Sequence, residues 1–196
     1  MLSQTDVSYE CSCLQKKCGA CALIVNGKPC LACAAFVKNL PVKKEIIIEP
    51  LKKFPLVRDL IVDRSVLYKN LKILDFWVNE DAFVAEKNLS ESFSASKCLL
   101  CGLCLEVCPA WYFDSDFFSA AGFVPLMSIM ESLSKEERLK LLRKYKSHGY
   151  SGCGKSLACQ TICPAGIKTE KLILKLNKLM GVLKWKLLNF LSFNEY

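Results

Sequence analysis

The chain has little of what most enzymes use for acid-base work. It holds one histidine, His148, near the end of an expected helix, where complementing the negative helix terminus is a more ordinary role than catalysis. It has no apolar run approaching the ~18 residues of a membrane span, so a soluble or peripheral protein is expected. Residues Met1 to Glu10 are polar and lack the apolar stretch of a secretory leader. A reducing compartment is therefore expected, in which clustered thiols read as metal ligands and not as disulfides. No nucleic-acid motif accompanies the net charge of +8, and the lysines are spread from Lys16 to Lys186. The charge reads as a solvated surface, with no nucleic acid as partner.

What the chain does have is cysteine, thirteen in 196 residues, and spacing decides what they do. Cys98-Leu-Leu-Cys101-Gly-Leu-Cys104-Leu-Glu-Val-Cys108-Pro109 reads C-x2-C-x2-C-x3-C-P, the ligand run of a ferredoxin-type iron-sulfur cluster. In paired runs of this kind the cysteine before each proline serves the opposite cluster. The partner run is Cys153-x5-Cys159-x3-Cys163-Pro164. Cys98, Cys101, Cys104 and Cys163 are therefore expected to hold a 4Fe-4S cluster. Cys108, Cys153 and Cys159 form the other site, with Ser156 where a fourth cysteine would stand midway. Three thiolates suit a 3Fe-4S cluster; a serine-ligated 4Fe-4S cluster is the alternative. Tetrahedral zinc, which also uses C-x2-C pairs, does not account for three consecutive ligands at this spacing.

Near the N-terminus, Cys13, Cys18, Cys21 and Cys33 fit the plant-type run C-x4-C-x2-C…C of a 2Fe-2S cluster. Ala22-Leu-Ile-Val25, Asn26-Gly27 and Lys28 to Ala32 read as strand, type I′ turn and strand, which returns Cys33 beside Cys21. Gly19 fits a loop whose backbone must approach the cluster closely. Cys11 and Cys30 are left over and read as structural or incidental. Glu45 to Glu49 reads as a buried strand closing this part. A plant-type ferredoxin domain normally has two strands and a helix before its first ligand. Twelve residues cannot supply them, so either the gene start is misplaced or the domain is incomplete and borrows packing from a partner.

Farther along, Pro55 to Val78 has apolar residues at helical intervals and reads as one or two helices. Asn79 to Ser96, polar and serine-rich, reads as surface loop. Ser134-x-x-Glu137 is a capping box opening a helix to about Lys146, which Gly149 stops, and an amphipathic helix starts near Lys168. Gly149 to Ser156 also matches the phosphate-binding expression G-x4-G-K-S, but that mechanism needs a preceding strand, where a charged helix is expected. The fold class is α+β. An incomplete β-grasp 2Fe-2S ferredoxin domain occupies residues 1–54, and a mostly helical dicluster ferredoxin domain occupies residues 55–196. Three clusters with no catalytic machinery describe an electron wire whose chemistry lies with partners.

This order of motifs resembles the iron-sulfur subunit of succinate dehydrogenase and fumarate reductase, and Pro55-Leu-Val-Arg-Asp-Leu-Ile-Val-Asp63 looks like that family's linker segment. The resemblance implies a path from FAD in a flavoprotein subunit through the 2Fe-2S, 4Fe-4S and 3Fe-4S clusters to a quinone at a membrane anchor. It implies a peripheral place on the cytoplasmic face of the inner membrane. It leaves direction and quinone type open. The family often has tryptophans four and five residues past the Cys-Pro cysteine and a histidine after the first cysteine of the last motif. Here those positions hold Tyr112, Phe113 and Gly154, with Trp111 one place early, so Trp111 reads as core. The apolar tail Val182 to Phe193, with lysines flanking Trp185, suits either an interfacial contact or packing on the body. Two other readings are an iron-sulfur subunit of a thiol- or heterodisulfide-linked reductase and a truncated, clusterless interaction protein.

Overall fold

The computed structural model describes residues 6–40, 45–75, 77 and 90–192, with side chains to residue 181. The expected loop over residues 79–89 and the side chains of the tail lie outside the described residues. The N-terminal part is built on a hairpin of β1 (Ala22–Val25) and β2 (Lys28–Leu31), paired from Ala22↔Leu31 to Val25↔Lys28. Asn26 and Gly27 both have positive φ, 47° and 73°, the type I′ geometry that follows the twist of the strands. All four residues of β1 are buried, whereas of β2 only Leu31 is, so β1 sits in the core and β2 covers it from the outside. A 3-10 turn over Ala32–Ala34 follows directly. The Ala32 amide donates to the Cys21 carbonyl at 2.9 Å, which holds Cys33 next to Cys21 as the spacing led one to expect.

Three expectations for residues 45–96 need correction. The buried strand over Glu45 to Glu49 is reduced to β3, Ile48–Glu49, pairing antiparallel with Ile24 and Val25. Ile47 and Ile48 are 51% and 38% exposed. The order β2-β1-β3 makes β3 an edge strand, covered by a neighbour on one side only, and hydrophobicity alone cannot reveal that. Pro55 to Asp63 is a second hairpin, β4 (Leu56–Arg58) and β5 (Ile61–Val62), not helix. Asp59 turns the chain with φ +48°, and its carboxylate accepts the Ser8 amide at 2.8 Å. Helix α1 begins only at Ser65 and runs to Ile73, its first turn held by the Asp63 carboxylate on the Ser65 amide. Residues 90–96 are helix α2, Ser90–Ser96, not loop. Its small Ser92 and Ala95 are buried, and small side chains are what let one helix lie close on another.

The C-terminal part is helical: α3 (Leu103–Glu106), α4 (Ser119–Ile129), α5 (Lys135–Tyr145), α6 (Ala158–Ile162) and α7 (Thr169–Ser192). Helix α4 is the central post. Every residue from Ser119 to Met127 is buried, so an apolar run without amphipathic period is what the position demands. The capping box of Ser134 and Glu137 forms in both directions. Gly149 does not stop α5, because it lacks the left-handed φ of a helix-ending glycine. The chain continues through a π-helical turn over Lys146–Tyr150 in which Gly149 is buried. His148 has a packing role there: its ring stacks on Phe118 at 4.3 Å and its Nδ1 bonds the Asp116 carbonyl at 2.9 Å.

Two apolar clusters make the core. One joins α2, α4, α5 and α7 around Leu126, Met127, Tyr145 and Leu176. The other joins the first hairpin to the start of the helical part through Ile24, Leu31, Leu51, Phe54, Leu103 and Trp111. Trp111 is 2% exposed and tilted against Phe54 with centroids 5.3 Å apart, which makes it core as expected, whereas Tyr112 is 68% exposed. No helix among the described residues is long and apolar enough to cross a membrane.

Candidate iron-sulfur sites

The first site is a loop that curls around its own sulfurs. Leu14, Lys16 and Gly19 have φ of 54°, 59° and 75°, and such left-handed residues turn successive amides toward one point, a nest for negative charge. The amides of Gln15 and Lys17 donate to Cys13 Sγ at 3.3 and 3.2 Å, and the Lys16 amide donates to Cys33 Sγ at 3.3 Å. These backbone donors, Gln15 first, bring the Cys13 thiol down to about 7, helped by a bond from Cys18. Burial pushes Cys21 up, with Cys33 hydrogen-bonded beside it. Cys13 pairs with Cys18 and Cys21 with Cys33, and the adjacent amides of Lys16 and Lys17 bond one thiol of each pair, Cys33 and Cys13. Cys11 is exposed, and Cys30 lies on β2 with its thiol raised by burial.

The second group lines one cavity: Cys98, Cys101, Cys104 and Cys163, with Gly102 and Ala121 in the wall. Burial is the main cause raising all three thiols of the x2 run, with Cys101 up to about 11. Repulsion adds to it, since Cys163 raises Cys98, Cys101 and Cys104 alike. Cys163, 65 residues from Cys98 in the chain, thus shares its cavity. Gly102 makes the sharp entry to α3 at φ +83°, where a Cβ would meet the Phe54 ring at 2.9 Å.

A third group lines another cavity: Cys108, Cys153 and Cys159, with Ser156, Phe117 and Phe123 around them. Burial raises Cys159, and the charges of Cys108 and Cys153 add to it, while the buried Thr169 hydroxyl, 3.4 Å from Cys159 Sγ, pulls the other way. Sequence reasoning did not find Thr169; it opens α7 with no motif to mark it. Gly149 to Ser156 is entered from α5 through the π-helical turn and not from a strand, and Ser156 lines a thiol cavity and not a phosphate cradle.

Among the described residues, no three His, Cys, Asp or Glu side chains converge on a single-ion position. A cluster needs something else, since its ligand thiolates bind different iron corners and stand apart. Buried thiols that mutually oppose one another's deprotonation fit a group carrying several cations, and the amides aimed at Cys13 and Cys33 fit a group with excess negative charge.

The groups are packed against each other. A Cβ on Gly19 would stand 2.8 Å from Cys101 Cβ and 2.9 Å from the Leu99 carbonyl, so the first loop touches the second run. The approach the sequence suggested for Gly19 is therefore toward the next site. Arg64, which has no sequence signature, clamps this loop by donating to the Gly19 and Ala20 carbonyls at 3.0 and 2.9 Å while pairing with Glu10. Cys104 feels Cys159 as well as its own partners, which makes it a link from the second to the third group.

The contrast between Cys13 and Cys101 gives a pH prediction for the cluster-free chain. Iron must displace thiol protons; Cys13 is largely thiolate at pH 8 and Cys101 is not. Anaerobic reconstitution of the 4Fe-4S signal should rise more steeply from about pH 7.5 to 9, around the reference thiol range, than that of the 2Fe-2S signal, where burial raises Cys21 but Cys13 is already down at about 7. The contribution of Cys101 to the stability of the cluster-free chain has the opposite slope. A folded thiol pKa of about 11 contributes fully below pH ~9 and is lost as pH rises toward 11. Equal pH dependence of both signals would refute the difference.

Fold and sites together define an iron-sulfur electron-transfer protein with a plant-type half and a dicluster half. Residues 2–69 match the family model described as 2Fe-2S iron-sulfur cluster binding domain, and residues 94–167 match the 4Fe-4S dicluster domain. The chain is 34% identical over 189 residues to the succinate dehydrogenase iron-sulfur subunit of Bacillus subtilis, covering 89% of this chain and 72% of that one. It is 26% identical over 189 residues to the fumarate reductase iron-sulfur subunit of Wolinella succinogenes, covering 89% and 78%. A chain of the Mycobacterium smegmatis Sdh1 complex in the apo form shares its fold, with a TM-score of 0.74 at 24% identity over 94% of this chain and 82% of that one. The chain belongs to the family of iron-sulfur subunits of succinate dehydrogenase and fumarate reductase. It is an electron-transfer subunit of an oxidoreductase with 2Fe-2S and 4Fe-4S clusters.

Proposed function

We propose that Cys13, Cys18, Cys21 and Cys33 hold the 2Fe-2S cluster, that Cys98, Cys101, Cys104 and Cys163 hold the 4Fe-4S cluster, and that Cys108, Cys153 and Cys159 hold a 3Fe-4S cluster. The observation that carries this is the exchange of proline-preceding cysteines: Cys163 lines the cavity of the first run and Cys108 that of the last. When bound, such clusters take up and release single electrons at potentials set by cluster type, hydrogen bonds to sulfur and burial. The chain's own part is to hold the three thiol groups in a row, keep water from the second and third by the apolar walls around them, and aim amides at the first.

In this reading the first site faces an FAD-containing flavoprotein subunit, where succinate or fumarate is handled. The third faces membrane anchor subunits with a quinone. The assembly is peripheral, on the cytoplasmic face of the inner membrane. The chain divides into a 2Fe-2S domain over residues 1–54 and a dicluster domain over residues 55–196. Ser156 in the wall of the third cavity leaves three thiolates, which favours 3Fe-4S.

Anaerobic purification with iron and sulfide analysis and EPR tests it. A reduced 2Fe-2S signal and an oxidised 3Fe-4S signal are expected. A third site that is silent when oxidised and has four irons would replace 3Fe-4S by a serine-ligated cluster. Absence of iron after reconstitution would sink the relay altogether.

A further inference from the structure

The third thiol group is gripped by the first half of the chain. Leu51 and Phe54 are buried at 1% and 4% exposure, and the two lysines between them are fixed at their backbones. The buried Glu106 carboxylate accepts the Lys52 amide at 3.1 Å and the Lys53 amide at 3.0 Å. With its main chain held, Lys53 turns its side chain inward, and its Nζ donates to the Cys108 carbonyl at 2.5 Å and to the Trp111 carbonyl at 3.0 Å. Phe54 closes the other side, against Trp111 and over Gly102. An ordinary surface lysine leaves its ammonium in water. This one is half-buried and satisfies two main-chain carbonyls that lie 55 and 58 residues away.

We propose that Lys53 is a positioning residue for the third site: its ammonium fixes the Cys108–Trp111 turn that presents the Cys108 thiol, and its charge raises the reduction potential of the cluster bound there. The inference rests on the assignment of Cys108 to that site. One-electron reduction adds one negative charge to the site, and a cation bonded to the ligand's own carbonyl in a partly desolvated place stabilises the reduced form over the oxidised one. Glu106 binds the amides of residues 52 and 53, and its charge is the same in wild type and in a Lys53 variant, so it does not enter the difference between them. The cation in the wall of the third cavity itself is Lys155, on the opposite run, whereas Lys53 acts from outside that wall through the Cys108 carbonyl. Replacement at 53 thus removes one identifiable charge and leaves the other.

The test is a mediator redox titration of the intact complex, read by EPR for the oxidised third-site signal and the reduced 2Fe-2S signal, in wild type, Lys53→Met and Lys53→Arg. In Lys53→Met the third-site midpoint should fall while the 2Fe-2S midpoint holds, and Lys53→Arg should stay near wild type. An unmoved third-site midpoint in Lys53→Met, or an equal shift of both centres, overturns the inference. If Lys53→Met does not retain the third-site signal, Lys53→Gln, which keeps donors without charge, is read by the same criterion. Failure of the underlying assignment looks different: Cys108→Ser in the wild-type background would then leave the third-site signal and its midpoint intact.

Discussion

Replacing Cys163 by serine is expected to abolish the 4Fe-4S signal while sparing most of the third-site signal, although Cys163 sits four residues from Cys159. The reason is spatial. Cys163 lines the cavity of Cys98, Cys101 and Cys104, and its charge acts on all three of those thiols. Cys108→Ser should give the mirror image, with the third-site signal lost and the 4Fe-4S signal largely kept. EPR of the reduced and oxidised variants, with iron counted per chain, reads both. If each substitution instead removes the cluster closest in sequence, the crossing is wrong. If either removes both signals equally, the two sites assemble as one unit.

The second large effect is expected at Gly19. Its φ of +75° disfavours any side chain, and a Cβ would stand 2.8 Å from Cys101 Cβ, closer than packed carbons approach. Gly19→Ala should therefore combine backbone strain with overpacking, about 3 kcal/mol together. For a chain of this size that is a fall of ~10 °C in melting temperature. Gly27→Ala is the control: its φ is +73° with nothing within 4 Å, so strain acts alone and about 1 kcal/mol is expected. Thermal denaturation of the cluster-loaded proteins compares them. Equal losses would mean that the first loop yields freely against Cys101.

The Gly19 contact also shows where sequence reasoning ends. Ligand spacing made the three groups of cysteines legible, because a metal cluster constrains side chains only a few residues apart and leaves that constraint in the sequence. The hairpin around Asn26-Gly27 and the capping box at Ser134 were legible for the same reason, each being a local interaction. Lys53, Arg64, Glu106 and Thr169 were not. Each acts on a backbone carbonyl, amide or thiol brought near by folding, and such partners leave no spacing to read. The segment Pro55 to Asp63 misled because Leu56, Leu60 and Ile61 satisfy a helical period, while the left-handed Asp59 that turns the chain is set by Ser8. Ile46 to Ile48 misled in the other direction, since apolar residues say that a strand wants cover without saying that the sheet supplies it.

The sharing of one cavity by Cys98 and Cys163 bears on how the chain survives as a polymer. Under the proposed pairing, the inorganic group would tie two points 65 residues apart, and the Cys108 site would tie a second pair nested inside the first. Each tie would act as a cross-link on the unfolded ensemble, and closing a loop of that length is worth roughly 4 kcal/mol by chain entropy. Iron would then be a fastener as well as a carrier of electrons, and oxidative damage to one cluster would loosen helices far from the lost atoms.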